Sequence, residues 1–268
     1  MVGRDWGSGP GSTPRQEGRV RPHRWVLEEP DIPFDLPVLY EDERIIVVDK
    51  PHFLATTPRG MWYRQTALLR LQEGLNEPDI TPAHRLDRLT AGVLVLVRDP
   101  AYRGAYQLLF EHHLVRKTYQ CLAPCLPARR PSFGTVSRLS PPAAFPLLRR
   151  SRLVKDRGRL QAYEEPGTVN AETVIQLADQ QPGEVVRAGY RLYDLYPVTG
   201  KTHQLRVHMN SLGLPIVGDP FYPDLVDRPY DDFSQPLELV ARTLEFDDPV
   251  DGRRHRFRSQ VGLGAGRR

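Results

Sequence analysis

The chain has 268 residues, of which 40% are hydrophobic and 26% charged; that supplies apolar material for one sizeable core, since single mixed α/β domains often run to roughly 200–250 residues. A formal net charge of +4 suits a polyanionic partner without requiring one, and because all but four of the basic residues are arginine, a bias toward arginine codons accounts for it equally well. The longest apolar runs, such as Val93 to Val97, fall far below the ~18 residues of a membrane span; with nothing resembling a span or a signal peptide, no membrane association and a cytoplasmic location are expected.

Residues 1–24 are dominated by Gly, Pro, Ser, Arg and Gln without hydrophobic periodicity, so they cannot bury enough surface to offset their ordering entropy. Pro30, Pro33 and Pro37 keep the next stretch extended, and residues 1–37 are therefore expected to be a disordered or extended arm. A folded domain is expected over 38–250, followed by a basic tail over 251–268. Ile45 to Val48 is a β-branched run closed by Asp49-Lys50-Pro51, which predicts a buried strand. Thr66 to Gly74 predicts a short helix ending at glycine, and Gly92 to Val97 a second buried strand. Asp99-Pro100 opens an amphipathic helix that runs to about His113. Lys117 to Ala123 alternates as a strand and carries Cys121; Cys125 lies about 13 Å further at ~3.3 Å per residue, too far for a disulfide. Both cysteines read as structural thiols.

Residues 126–168, rich in Pro, Arg and Ser, read as a variable, partly ordered insertion. Strands are predicted at Ala171 to Leu177, Tyr190 to Val198 and Leu237 to Phe246, with a helix from Thr202 to Ser211 closed by Gly213. The result is a mixed sheet protein whose helices are too irregularly placed for a doubly wound fold.

The most informative segment is His84-Arg85-Leu86-Asp87-Arg88-Leu89-Thr90-Ala91-Gly92. A carboxylate between two arginines, just before a glycine and a buried strand, would be presented from a loop at the sheet's edge. Flanking cations favour its ionised form and suit a carboxylate nucleophile. The same residues also fit a surface Arg–Asp pair that pins the loop, and spacing does not decide between the two.

The nonapeptide resembles the signature of the RluA family of pseudouridine synthases, His-Arg-Leu-Asp-Arg-x-Thr-Ser-Gly, with Ala91 where serine is usual. Further stretches fall in the family's order. Val38 to Pro51 is similar to its opening strand, and Arg116-Lys117-Thr118-Tyr119 to its Lys-x-Tyr element. Gly200-Lys201-Thr202-His203-Gln204-Leu205-Arg206-Val207-His208 is similar to Gly-Arg-Thr-His-Gln-x-Arg-x-His, with Pro215 to Asp219 following. The likeness spans roughly residues 38–247.

It implies an α+β pseudouridine synthase fold, with a mixed, mostly antiparallel central sheet and flanking helices and loops around an active-site cleft. It also implies an enzyme that isomerises uridines of ribosomal or transfer RNA without cofactor or metal. By resemblance Asp87 is the catalytic aspartate, Tyr119 packs on the target base and takes part in proton transfer, and Arg206 forms a salt bridge with Asp87. Substrate contacts are expected from His84, Arg85, Arg88, Thr90, Lys117, Lys201, Thr202, His203, Gln204 and His208. From the residues alone, Tyr119 fits a core position as well, and Arg206 an exposed helix arginine. His203 and His208, five apart, lie roughly 140° from each other at ~100° per residue and do not share a metal.

Lys201 departs from the usual arginine and loses the fork geometry; Thr57 to Trp62 departs from the family's His-Pro and bears on which RNA is chosen. The N-terminal arm is a candidate RNA contact. A monomer is the default expectation. A catalytically idle RNA-binding or chaperone protein on the same fold is the alternative, against which the retention of Asp87, Tyr119 and Arg206 counts.

Overall fold

The structure, a computed structural model, describes residues 29–179 and 186–264. Its frame is one mixed sheet in the order β1-β2-β4-β11-β5-β10-β9-β7-β6, with β3 on β4, β12 on β11 and β8 on β7. The first four elements are β1 (Val38–Glu41), β2 (Ile45–Lys50), α1 (Ala67–Leu75) and β3 (Thr81–Pro82). They are followed by β4 (Ala91–Val97), α2 (Arg103–Glu111) and β5 (Arg116–Pro124). The far half contains β6 (Thr135–Arg138), β7 (Leu147–Val154), β8 (Tyr163–Glu165), β9 (Ala171–Leu177) and β10 (Tyr190–Pro197). The chain then makes α3 (Gln204–Ser211), β11 (Leu239–Asp247) and β12 (Arg254–Arg258). No helix among the described residues is long and apolar enough to cross a membrane.

β2 and β4 are buried along their whole lengths, as the aliphatic runs Ile45 to Val48 and Val93 to Val97 require of strands covered on both faces. β4 meets β11 in parallel, with Ala241 opposite Gly92. There a Cβ on Gly92 would stand 2.3 Å from the Ala241 carbonyl oxygen, and φ is +115°, so only glycine lets the two backbones approach. The contact fixes the start of β4, directly after the loop of residues 84–90. On the other side of β11 lies β5, antiparallel, with a register irregularity between Ala241 and Thr243 opposite Tyr119 and Thr118.

Thr66 caps α1 by accepting from the Leu69 amide, and Asp99 accepts from the Ala101 amide to open a 3₁₀ turn before α2. Helix α3 begins at Gln204, two residues later than its sequence suggests, because His203 sits at φ +56° in the left-handed region.

Two expectations fail. Residues 126–168 are not a partly ordered insertion: β6, β7 and β8 lie there, and β7 is hydrogen-bonded to β9. Residues 251–268 are not simply a tail, since β12 pairs with β11, and the Ser259 hydroxyl and Gln260 amide donate to Asp49 at 2.7 and 2.6 Å. At the other end, Ile32 is buried and the Glu29 carboxylate accepts from the amides of Tyr63, Arg64 and Gln65, so the last part of the expected arm packs on the domain. Residues 1–24, the candidate RNA-contacting arm, and residues 265–268 lie outside the described residues. Cys121 is buried on β5 and Cys125 is exposed; both are free thiols.

Candidate active site

The loop from His84 to Thr90 is wired to the segment that follows β2. Thr56 Oγ1 donates to the Leu86 carbonyl at 2.8 Å and accepts the Leu86 amide at 3.1 Å. His52 Nδ1 donates to the Leu89 carbonyl at 2.9 Å. Lys50, fully buried, spends its three donors on the carbonyls of Leu54, Pro51 and Arg88 at 2.7, 3.0 and 3.4 Å. Burial pushes its pKa down to about 7, against the opposing pull of Asp87. The Thr90 amide closes the loop onto the Asp87 carbonyl at 3.0 Å. These bonds hold the backbone and leave the Asp87 carboxylate free to project, with its side chain 40% exposed.

It projects into a cavity of about 330 Å³, within the size range of small-ligand sites. Of the residues expected at the site, Asp87, Tyr119, Arg206, His84, Arg85, Thr90, Lys117, Lys201, Thr202, His203 and Gln204 line it, joined by Phe110 and Leu239. Lys117 and Tyr119, two apart on β5, share the face that looks into it. Burial, then the negative field of Asp87, pushes the Tyr119 phenol well above its ordinary pKa, so it is a neutral phenol at physiological pH. Burial also lowers the pKa of Lys117.

The expected ion pair between Arg206 and Asp87 is not formed. Arg206 instead grips Asp219 bidentately, Nε to Oδ2 at 2.8 Å and Nη2 to Oδ1 at 2.5 Å. The reason is solvation: the Asp219 side chain is 1% exposed and Asp87's is 40% exposed, so the carboxylate cut off from water takes the fork. The Phe221 amide adds a third bond to Asp219, and the guanidinium lies over the rings of Phe221 and Tyr222 at 4.8 and 5.3 Å. Burial works against the Arg206 charge, but Asp219 outweighs it, and Asp87 contributes at longer range, so its pKa is held above the usual value.

The Asp87 carboxylate is approached instead by His203 Nε2, at 3.9 Å. Burial and Arg206 push His203 down to about 4, so at neutral pH this contact is not an ion pair. Its Nδ1 meets the Tyr222 hydroxyl at 3.0 Å.

Several expected substrate contacts have other work. Gln204 uses its oxygen on Thr199 Oγ1 and the Lys201 amide, and its nitrogen on the Glu172 carbonyl and Thr173 Oγ1; it touches the cavity but is satisfied inside the protein. His208 is fully buried, bridges Ser151 and Thr173, and lines no cavity with Asp87. Its place is structural, and burial, then Arg149, pushes it to about 3. His84 accepts the Val95 amide at Nε2 and stacks on Phe110 at 4.2 Å; burial pushes it to about 3, leaving a neutral ring that walls the site. Arg88 does not reach this cavity; it lies over Trp62 at 5.0 Å and lines an adjoining cleft. Lys50, Asp219 and Tyr222 are additions to the expected set. The first two stand within motifs that carry the resemblance, Lys50-Pro51 and Gly218-Asp219, where their residue types alone gave the signal.

The family profile described as RNA pseudouridylate synthase matches residues 44–211. The dual-specificity RNA pseudouridine synthase RluA of Vibrio parahaemolyticus is 32% identical over 219 residues, 79% of this chain and 78% of that protein. The enzyme of the same name from Escherichia coli O157:H7 is 29% identical over 84% of this chain and 92% of its own length. Among solved structures, human RNA pseudouridylate synthase domain containing 4 superposes with a TM-score of 0.55 at 23% identity, over 84% of this chain and 88% of that one. That likeness shows the pseudouridine synthase fold. The chain belongs to the RNA pseudouridylate synthase family, isomerases that act on RNA. Within that class it is of the RluA type.

Proposed function

We propose that this enzyme converts specific uridines of ribosomal or transfer RNA to pseudouridine, with Asp87 as the nucleophile. The observation that carries the reading is the single cavity in which Asp87, Tyr119, Lys117 and Arg206 meet. The reaction breaks the bond from N1 of uracil to the sugar, turns the base and joins C5 to the same sugar carbon; the C5 proton leaves and N1 gains one. Nothing else is consumed. The target must leave its stack to enter, which costs a few kcal/mol and least in loops.

In this reading Asp87 attacks the uridine, and its backbone is held still by Lys50, His52 and Thr56. Tyr119, kept protonated, offers a face to the base and relays a proton through its hydroxyl. Arg206 stabilises charge on Asp87 across space while Asp219 keeps the guanidinium aimed. Arg85 and Lys201, both exposed at the rim, meet phosphates.

The Asp87→Asn enzyme is expected to bind RNA as the wild type does while losing at least about 10⁴-fold in pseudouridine formation, as removal of a nucleophile does elsewhere. Mapping pseudouridine in RNA from a deletion strain, before and after adding each protein, reads this directly. Turnover by the Asn variant would remove the nucleophile assignment.

A further inference from the structure

A larger cleft, about 650 Å³, adjoins the Asp87 cavity and shares with it Arg85, Leu86, Asp87, Thr202, His203 and Arg206. Its other walls come from the Thr57–Trp62 loop and from the Pro220–Gln235 segment. The loop is one of the places where the sequence departs from the family pattern. Arg88 lies over Trp62 at 5.0 Å, and Trp62 meets Tyr230 edge to face at 6.3 Å and 71°. Trp62 is 6% exposed and Tyr230 59%, so this ladder of a cation and two rings ends in a ring open to solvent.

Leu160, Leu225 and Val226 line the same cleft and are 57%, 54% and 46% exposed. Clustered apolar groups left wet beside a reactive centre mark a binding surface. Five guanidiniums line it, those of Arg59, Arg85, Arg88, Arg206 and Arg228; with Arg206 held by Asp219 behind the wall, the other four face the three carboxylates of Asp87, Asp227 and Asp232. Charge is near balance, so the cleft is built for stacking more than for phosphate capture. Exposed rings and guanidinium planes are what hold unstacked bases. A uridine turned into the Asp87 cavity stays joined to its neighbours by phosphodiesters, so an adjacent nucleotide is delivered to the cleft next door.

We propose that this cleft holds an unstacked nucleobase next to the target uridine, with Tyr230 as its platform and Trp62 and Arg88 holding that platform in place. The proposal rests on the uridine reading above and adds a second recognised nucleotide to it. Tyr230 is then a specificity residue, acting on KM and on site choice.

The test uses the full chain and a synthetic stem-loop that carries a uridine found by mapping wild-type against deletion RNA. Each nucleotide flanking that uridine is replaced in turn by an abasic one. One replacement is expected to raise KM roughly 5- to 100-fold, the span of one base stacked on one ring, with kcat little changed. Tyr230→Ala should cost the same factor on the intact RNA and nothing further on that abasic RNA, and Tyr230→Phe should restore it. Equal losses on both RNAs, or no loss on either, would overturn the proposal while leaving Asp87 chemistry standing. If the wild type made no pseudouridine at all, the uridine reading would fail first and this inference with it.

Discussion

Asp219→Asn is the substitution whose consequence the structure fixes most narrowly. It removes the negative charge from a carboxylate that accepts two bonds from Arg206 and one from the Phe221 amide, in a place where both charged side chains are 2% exposed or less. Arg206 would remain buried, with Asp87 as the other carboxylate whose field reaches it. Breaking a buried pair from one side costs about 3–5 kcal/mol, because the surviving charge keeps its desolvation penalty. For a domain of this size each kcal/mol moves the melting temperature by about 2–4 °C, so a fall of about 6–20 °C is expected in a circular-dichroism melt at neutral pH. Removing the pair as a unit, Asp219→Asn with Arg206→Met, should recover most of that loss, since no uncompensated charge is left. Activity should not return with it. A single variant that melts within about 2 °C of the wild type, an amount equivalent to ~1 kcal/mol or less, would refute the buried-pair reasoning, as would a double variant no more stable than the single one.

Burial holds His208 at about 3 against an ordinary 6.5, so between those values the native state binds fewer protons than the unfolded chain and stability falls as pH falls through 6.5. The loss reaches about 2 kcal/mol at pH 5, and His208→Gln should remove that share from the decline between pH 7 and pH 5 in urea titrations; an unchanged decline would count against it. Gly92→Ala should cost about 2–5 kcal/mol, from the 2.3 Å approach to the Ala241 carbonyl and a φ of +115°. The control is Gly104→Ala on α2, where an added Cβ meets nothing within 4 Å; its melt should be unchanged or slightly raised, and similar melts for the two variants would refute the close-approach argument.

Much of the sheet was legible because its strands announce themselves chemically. β2 and β4 carry the aliphatic runs Ile45 to Val48 and Val93 to Val97, and β9 and β10 fall where the sequence places strands. β7 was not legible, and the reason is specific. Its buried positions are Leu147, Arg149, Ser151 and Leu153, so a charged and a polar residue occupy two inward places and hide the period of two. Arg149 is tolerated there because Glu164, Ser211 and the carbonyls of Phe133, Thr135 and Arg150 take its donors. β12 was hidden likewise: His255 and Phe257 face inward between arginines, and the run reads as a basic tail. At the site, motif order placed most of the expected residues around one cavity. It could not reveal which of them spend their polar atoms on the protein itself, as Gln204 and His208 do, because that depends on Thr173, which approaches α3 only through the fold.

The partner of Arg206 bears most directly on the chemistry. Had the guanidinium forked onto Asp87, both carboxylate oxygens would carry strong hydrogen bonds, and in the nucleophile role proposed for Asp87 those bonds would have to break before attack. With Asp219 taking the fork, Arg206 acts on Asp87 through its field while the Asp87 lone pairs remain open to the cavity. Water, reaching a side chain that is 40% exposed, stabilises the charge until a base enters. In the proposed reaction the base displaces that water, the local dielectric falls and the attraction between Arg206 and the Asp87 carboxylate grows. The site therefore leaves the Asp87 carboxylate unencumbered, facing a guanidinium whose own hydrogen bonds are satisfied by Asp219.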